Sequence, residues 1–370
     1  MNSAIYAQQI NSSMSRCQLT FTIVLLSSCV APDTADHVPN SESPHGSRAE
    51  QAHADSWGRI IEAPPALFFA SDLSEKVRYG LTNTLLAATA EWGNYGPLEY
   101  WVLGADREAA SALAEQLCKR RSDLGQWDEE DCLRHHTATH IDHGFESYRK
   151  VGADAVANQR AGSTMGWNGN RDWGMHFFTS SYPLGFDSLF GASPGGEQVT
   201  VFHEYFHAVQ QAHIQTRDHN KREKLAGPMW FTEGGAEYMA QTTARRLWSS
   251  GKLLLIDNSN LGSLERTFEH KLRNGKETIA RACPGTNLGD ITYSMECASA
   301  GYDLGCWAIA YLLHEQGQTA LLDTFYPLLN ELGWEVAFQE TFRMSSEQFY
   351  VAFDRFLQLP LAQQLAILPK

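Results

Sequence analysis

Two hydrophobic periods divide this chain. Apolar residues three and four apart predict helices over 72–92, 106–121 and about 145–158. Between them the run Leu98-Glu99-Tyr100-Trp101-Val102-Leu103 predicts a strand, and Met175-His176-Phe177-Phe178-Thr179 predicts another. From Glu197 onward the pattern is almost entirely helical, broken by Gly and Pro. The expected class is therefore α+β: a mixed half with a short sheet over residues 59–196, then a mainly helical half over 197–370. No repeat of fixed period, low-complexity tract or second linker interrupts the chain after Ile60. Towards the C-terminus, Ser345 followed three residues later by Gln348 predicts a capped helix with the apolar stripe Phe349, Phe353 and Phe356.

The strongest apolar run, residues 19–30, is about a dozen residues, well short of the ~20 that span a bilayer. It follows Arg16 and ends in Leu26-Ser27-Ser28-Cys29, which resembles the bacterial lipobox, whose cysteine becomes the lipidated first residue. With Met14 as the start, Met14-Ser15-Arg16 is a compact positive segment before it. Residues 1–29 are accordingly expected to be a lipoprotein signal, an ordinary cleaved signal or a buried strand being the alternatives. Residues 30–58 hold Pro, Ser, Asp, Asn and His with hardly any large apolar residue and are expected to be a disordered tether. The resemblance implies an exported protein of the bacterial cell envelope, held to the membrane only by lipid on Cys29. Val30 follows that cysteine, so no Asp argues for retention at the inner membrane; the outer membrane or periplasmic face is expected.

Composition narrows the partners. The 370 residues carry 29 Lys+Arg against 43 Asp+Glu, a formal charge of −14, with no basic block. That argues against nucleic acid and against anionic lipid headgroups as partners. Export permits disulfides. Of seven cysteines, Cys17 and Cys29 fall in the signal; proximity alone pairs Cys118 with Cys132 and Cys283 with Cys297, leaving Cys306 as a buried free thiol. No Cys-x-x-Cys suggests a redox site or a zinc ribbon.

The chemistry concentrates in His203-Glu204-Tyr205-Phe206-His207, inside a strong helical pattern. Histidines four apart share one helix face, so both imidazoles can reach a single Zn²⁺, and the Glu beside the first is placed to take a proton from its water. A zinc hydrolase needs a third protein ligand and one open position. His213 stands where a metzincin would place its last histidine. Gln210, however, replaces the glycine that lets the chain turn there, and a continuing helix would swing His213 roughly 240° away. The other candidate is Glu233, in a helix started by Pro228, with Glu237 one turn further on.

Here Trp230-Phe231-Thr232-Glu233-Gly234-Gly235-Ala236 resembles the second metal helix of the gluzincins, the metallopeptidase group that includes thermolysin and the membrane alanyl aminopeptidases. The resemblance covers about residues 197–356. It implies a zincin-like α+β fold with the active site between the halves, one Zn²⁺ on His203, His207 and Glu233, and Glu237 orienting a ligand histidine. Tyr302, in Tyr302-Asp303-Leu304-Gly305, matches the aminopeptidase tyrosine that hydrogen-bonds the developing oxyanion. The aminopeptidase Gly-x-Met-Glu-Asn signature is absent, Gly96-Pro97-Leu98-Glu99-Tyr100 being a loose and distant echo, so exo- and endo-cleavage stay undistinguished.

The expectation is a zinc-dependent peptidase acting on peptide or protein substrates, with Glu204 as general base and Met175–Thr179 as an edge strand for an extended substrate. A catalytically idle metal-binding envelope lipoprotein and a zinc hydrolase of a non-peptide amide or ester are the alternatives. His135, His136, His140 and His143 are a conceivable second metal site, or polar residues at a helix end. Trp167, Trp173, Phe177, Phe178, Tyr182 and Phe186 could line a cleft or fill the core.

Overall fold

The computed structural model describes residues 57–162, 165–170, 173–253 and 260–370, those of 167–170 by backbone alone. The expected signal, and the expected tether up to residue 56, lie outside the described residues. The tether's last two residues belong to the folded body: Trp57 donates from Nε1 to the Ile214 carbonyl (3.2 Å) and stacks on His176.

Four strands, β1 (Ala66–Phe69), β2 (Leu98–Val102), β3 (Met165–Asn170) and β4 (Met175–Ser180), form one sheet in the order β1-β2-β4-β3. β1, β2 and β4 are parallel and β3 runs antiparallel to β4. Parallel neighbours need crossovers, and helices supply them. α1 (Glu75–Trp92), capped by Ser74, joins β1 to β2. α2 (Arg107–Asp123), capped by Asp106, α3 (Glu129–Thr137) and α4 (Phe145–Ala157) intervene before β3. Every residue of β2 and β4 is buried, which is why both read as continuous apolar runs rather than alternating ones.

Met175–Thr179 is not an edge. β4 is bonded to β2 on one side and β3 on the other, so its backbone is already paired. The strand that covers it was hard to see, because β3 reads Met-Gly-Trp-Asn-Gly-Asn, and Gly and Asn are poor strand formers. Gly166 is there for a reason of space: the Tyr148 hydroxyl occupies the position its Cβ would take.

Inside β2, Glu99 is buried, and its charge is met by Arg121 Nη2 at 2.5 and 2.6 Å, Arg120 Nε at 2.7 Å and Trp101 Nε1 at 3.1 Å. Arg121 in turn lies over the Trp173 ring. The echo of an amine-binding glutamate at 96–100 is thus a structural ion cluster, with Glu99 fully engaged.

The second half comprises α5 (Pro194–Ala212), α6 (His219–Ala226), α7 (Met229–Ser249), α8 (Leu264–Ala282), α9 (Ala298–Gln316), α10 (Tyr326–Leu332), α11 (Trp334–Phe342), α12 (Ser346–Leu357) and α13 (Leu361–Leu365). α7 packs against both α5 and α9. α7 and α9 touch backbone to backbone: a Cβ on Gly234 would strike Gly305, and one on Gly305 would strike the Trp230 carbonyl. Ser345 and Gln348 form the expected reciprocal cap of α12, and Phe349, Phe353 and Phe356 are buried. One apolar cluster extends from Ala70 to Leu368, through both halves.

Both expected disulfides are present: Cys118–Cys132 ties α2 to α3, and Cys283–Cys297 closes the connection between α8 and α9. Cys306 is free and buried. Each bond closes a separation of 14 residues, worth about 3 kcal/mol in the chain-entropy account.

Because Arg121 is only 1% exposed, Arg121→Met leaves Glu99 charged in the core with only the half-exposed Arg120 as counter-ion. Denaturant unfolding is expected to show a loss of about 3–5 kcal/mol; an unchanged midpoint would mean the cluster carries no stability.

Candidate metal centre

α5 starts with Pro194 in its first turn, behind Ser193, whose hydroxyl accepts from the Gly196 amide. It then runs through the core, with residues 197–210 all buried. That burial places His203 and His207, one turn apart, in a dry environment facing α7. Pro228 caps α7, and Glu233 and Glu237 lie on the side that meets α5. His203, His207 and Glu233 are 0%, 1% and 0% exposed.

Three ligand atoms converge. His203 Nε2 and His207 Nε2 are 3.2 Å apart, and each is 3.3 Å from Glu233 Oε2. Among the described residues these three are the one group of His, Cys, Asp and Glu side chains arranged to hold a metal ion.

The outer ring nitrogens are committed elsewhere. His203 Nδ1 donates to Glu237 Oε2 (3.1 Å) and His207 Nδ1 to Gln210 Oε1 (2.8 Å). A carboxylate can only accept, and the Gln210 amide nitrogen is spent on the Thr232 carbonyl at 2.8 Å, so both Nδ1 atoms carry the proton. Both Nε2 lone pairs are then aimed, with a carboxylate oxygen, at one point. Three acceptors cannot sit together in a dry core without a cation between them, whether a metal ion or a proton.

The titration behaviour in the absence of metal states the same demand. Burial alone would lower His203, but its bonds to Glu233 and Glu237 outweigh that and raise it to about 10. His207 is also raised, against burial, chiefly by the Glu233 charge. Burial would lift Glu233 too, and the two histidines instead hold it far below the carboxylate range. Glu237 is likewise held low against burial by Lys271, whose Nζ lies 2.8 Å from Oε1 and 3.0 Å from Asp303 Oδ1. Gln241 Nε2 also donates to Glu237 Oε1.

Glu204, beside His203, is different. Both its oxygens are buried and accept no hydrogen bond from any described residue, and burial raises its pKa. An unsupported carboxylate next to the ligand group suits a group that handles a proton rather than one that builds structure.

Tyr302 stands early in α9, half-buried, with its ring stacked on His203 at 6.2 Å. Sequence reasoning missed Tyr293: its hydroxyl donates to Glu233 Oε1 at 2.6 Å although the side chain is 39% exposed. No motif marks it, and only its place between Cys283 and Cys297 could have drawn notice. Lys271 and Gln210 were missed as supports of the site: Lys271 reaches Glu237 from another helix, and no motif marks Gln210, which bonds His207 one turn before it on the same helix.

The remaining candidates lie away from the ligands. His213 caps the C-terminus of α5 and packs on Tyr95 and Tyr326, and burial lowers it to about 4. His136 is buried against Phe145 and Trp127, and His135 also meets Trp127; with His140 and His143 they form no group able to hold a metal among the described residues. Phe177, Phe178 and Phe186 are core, and Tyr182 donates to Asp187 Oδ2. The Trp167 side chain lies outside the described residues.

Glu197, two turns before Glu204, accepts from the Gly185 amide at 3.0 Å, yet burial pushes its pKa up to about 7. A carboxyl raised on folding stabilises below its unfolded value near 4.5, and that contribution is lost as pH rises through about 7. Glu197→Gln is therefore expected to remove a decline on the order of 3 kcal/mol between those pH values. Parallel stability profiles for parent and variant would contradict it.

Compared with protein-family models, with curated proteins and with solved structures, the chain matches none.

Proposed function

We propose that the chain is a zinc-dependent peptidase of the gluzincin type. The supporting observation is the spacing of the three ligand atoms. Ligands about 2.0–2.1 Å from a tetrahedral zinc stand about 3.3 Å from one another, and the separations here are 3.2, 3.3 and 3.3 Å. Two neutral imidazoles with one carboxylate, each fixed by a further partner, are a donor set suited to zinc and leave a fourth position for chemistry. The bound ion would polarise the scissile carbonyl and acidify the attacking water.

The chain's own residues do the rest. Glu204 takes the water's proton and returns it to the leaving amine, its raised pKa matching it to both roles. Tyr302, against the His203 ring, donates to the oxygen of the attacked carbonyl as charge develops there. The substrate backbone pairs with β3, the strand at the sheet edge beside α5, in place of the interior β4. The lipobox-like Leu26–Cys29 together with two disulfides supports an exported, lipid-anchored protein of the cell envelope.

Glu204→Gln tests this reading, because it removes the base while leaving all three ligands. Turnover of a peptide and ester panel is expected to fall by about 10²–10⁴ with zinc retained. Full activity in the variant would remove Glu204 from the mechanism. A parent that cleaves esters but no peptide would move the assignment to a non-peptide hydrolase.

A further inference from the structure

The two ligand histidines are supported by unlike groups. His203 leans on the charged Glu237, itself clamped by Lys271, whereas His207 leans on a neutral amide. Gln210 is 4% exposed and uses both ends: Oε1 accepts from His207 Nδ1, and Nε2 donates to the carbonyl of Thr232, the residue before Glu233. One side chain thus connects a ligand on α5 to the backbone that carries the ligand on α7. Gly235 leaves it room, since a Cβ there would stand only 3.2 Å from Gln210 Nε2.

We infer that Gln210 is a positioning residue of the metal site: it fixes the His207 tautomer and ring orientation so that Nε2 presents its lone pair, and it sets that ring's height relative to Glu233. This rests on the zinc reading above. An amide is also the support the charge balance calls for. Glu204, Glu233 and Glu237 already bring three carboxylates into this buried region, and a fourth would add another buried charge to desolvate. A neutral acceptor orients His207 without that cost, and its second end cannot be supplied by a carboxylate, which has no proton to donate.

The test compares zinc affinity, by chelator competition, for the parent, Gln210→Met and Gln210→Glu. Methionine keeps the volume and removes both bonds; zinc should bind about 10–100-fold more weakly. Glutamate keeps the acceptor at His207 and adds negative charge, so it should bind zinc at least as tightly as the parent. Both variants are expected to melt lower without metal, because the Thr232 carbonyl loses its donor in each. A purely structural role would weaken zinc in both alike, and that result, or parent-like affinity in Gln210→Met, overturns the inference. A parent that takes up no zinc overturns the zinc reading instead. Proton spectra of the metal-free protein then still decide the orientation claim: the hydrogen-bonded His207 Nδ1 proton should be seen in the parent and lost in Gln210→Met, and its survival in the variant overturns it.

Discussion

Two imidazole nitrogens and a carboxylate oxygen, all aimed at one point in a dry core, repel one another until a cation joins them, and much of the molecule serves to keep them there. Each ligand is held from behind: His203 by Glu237, His207 by Gln210, Glu233 by Tyr293. Behind Glu237 stands Lys271, which brings α8 and Asp303 of α9 into the same charge network. Removing Gln210 would leave both His207 Nδ1 and the Thr232 carbonyl without their partners, so the site and the core around it share their supports.

Helix packing answers to the same constraint. Glu233 meets the histidines because α7 lies against α5, and α7 is backed by α9 at a distance that only Gly234 and Gly305 permit. The sheet stands on the other side, its parallel strands buried and its one internal charge, Glu99, neutralised by arginines from α2. Among these paired groups Glu204 is the exception, buried with neither oxygen hydrogen-bonded by a described residue. That contrast sets Glu204 apart from the paired carboxylates around it.

What could be read from the sequence was local. His203 and His207 share a helix face by spacing alone, whereas the roles of Glu233 and Glu237, also one turn apart, come from the resemblance of residues 230–236 to a gluzincin metal helix. The helix cap at Ser345 and both disulfides also rest on short-range pattern. What escaped depends on distant contacts. Lys271 reaches Glu237 from another helix, Tyr293 reaches Glu233 across 60 residues, and the Gly- and Asn-rich β3 is held as a strand by its pairing with β4 rather than by propensity. The assignment of Met175–Thr179 to an edge failed for that reason: a strand's composition shows that it is buried, not who its neighbours are.

We propose above that His203, His207 and Glu233 together bind one zinc ion. Elemental analysis of the purified protein beside Glu233→Ala tests it most directly. One zinc per chain is expected in the parent, and its loss in the variant. A parent that stays free of zinc after reconstitution, or a variant that keeps its metal unchanged, would contradict it.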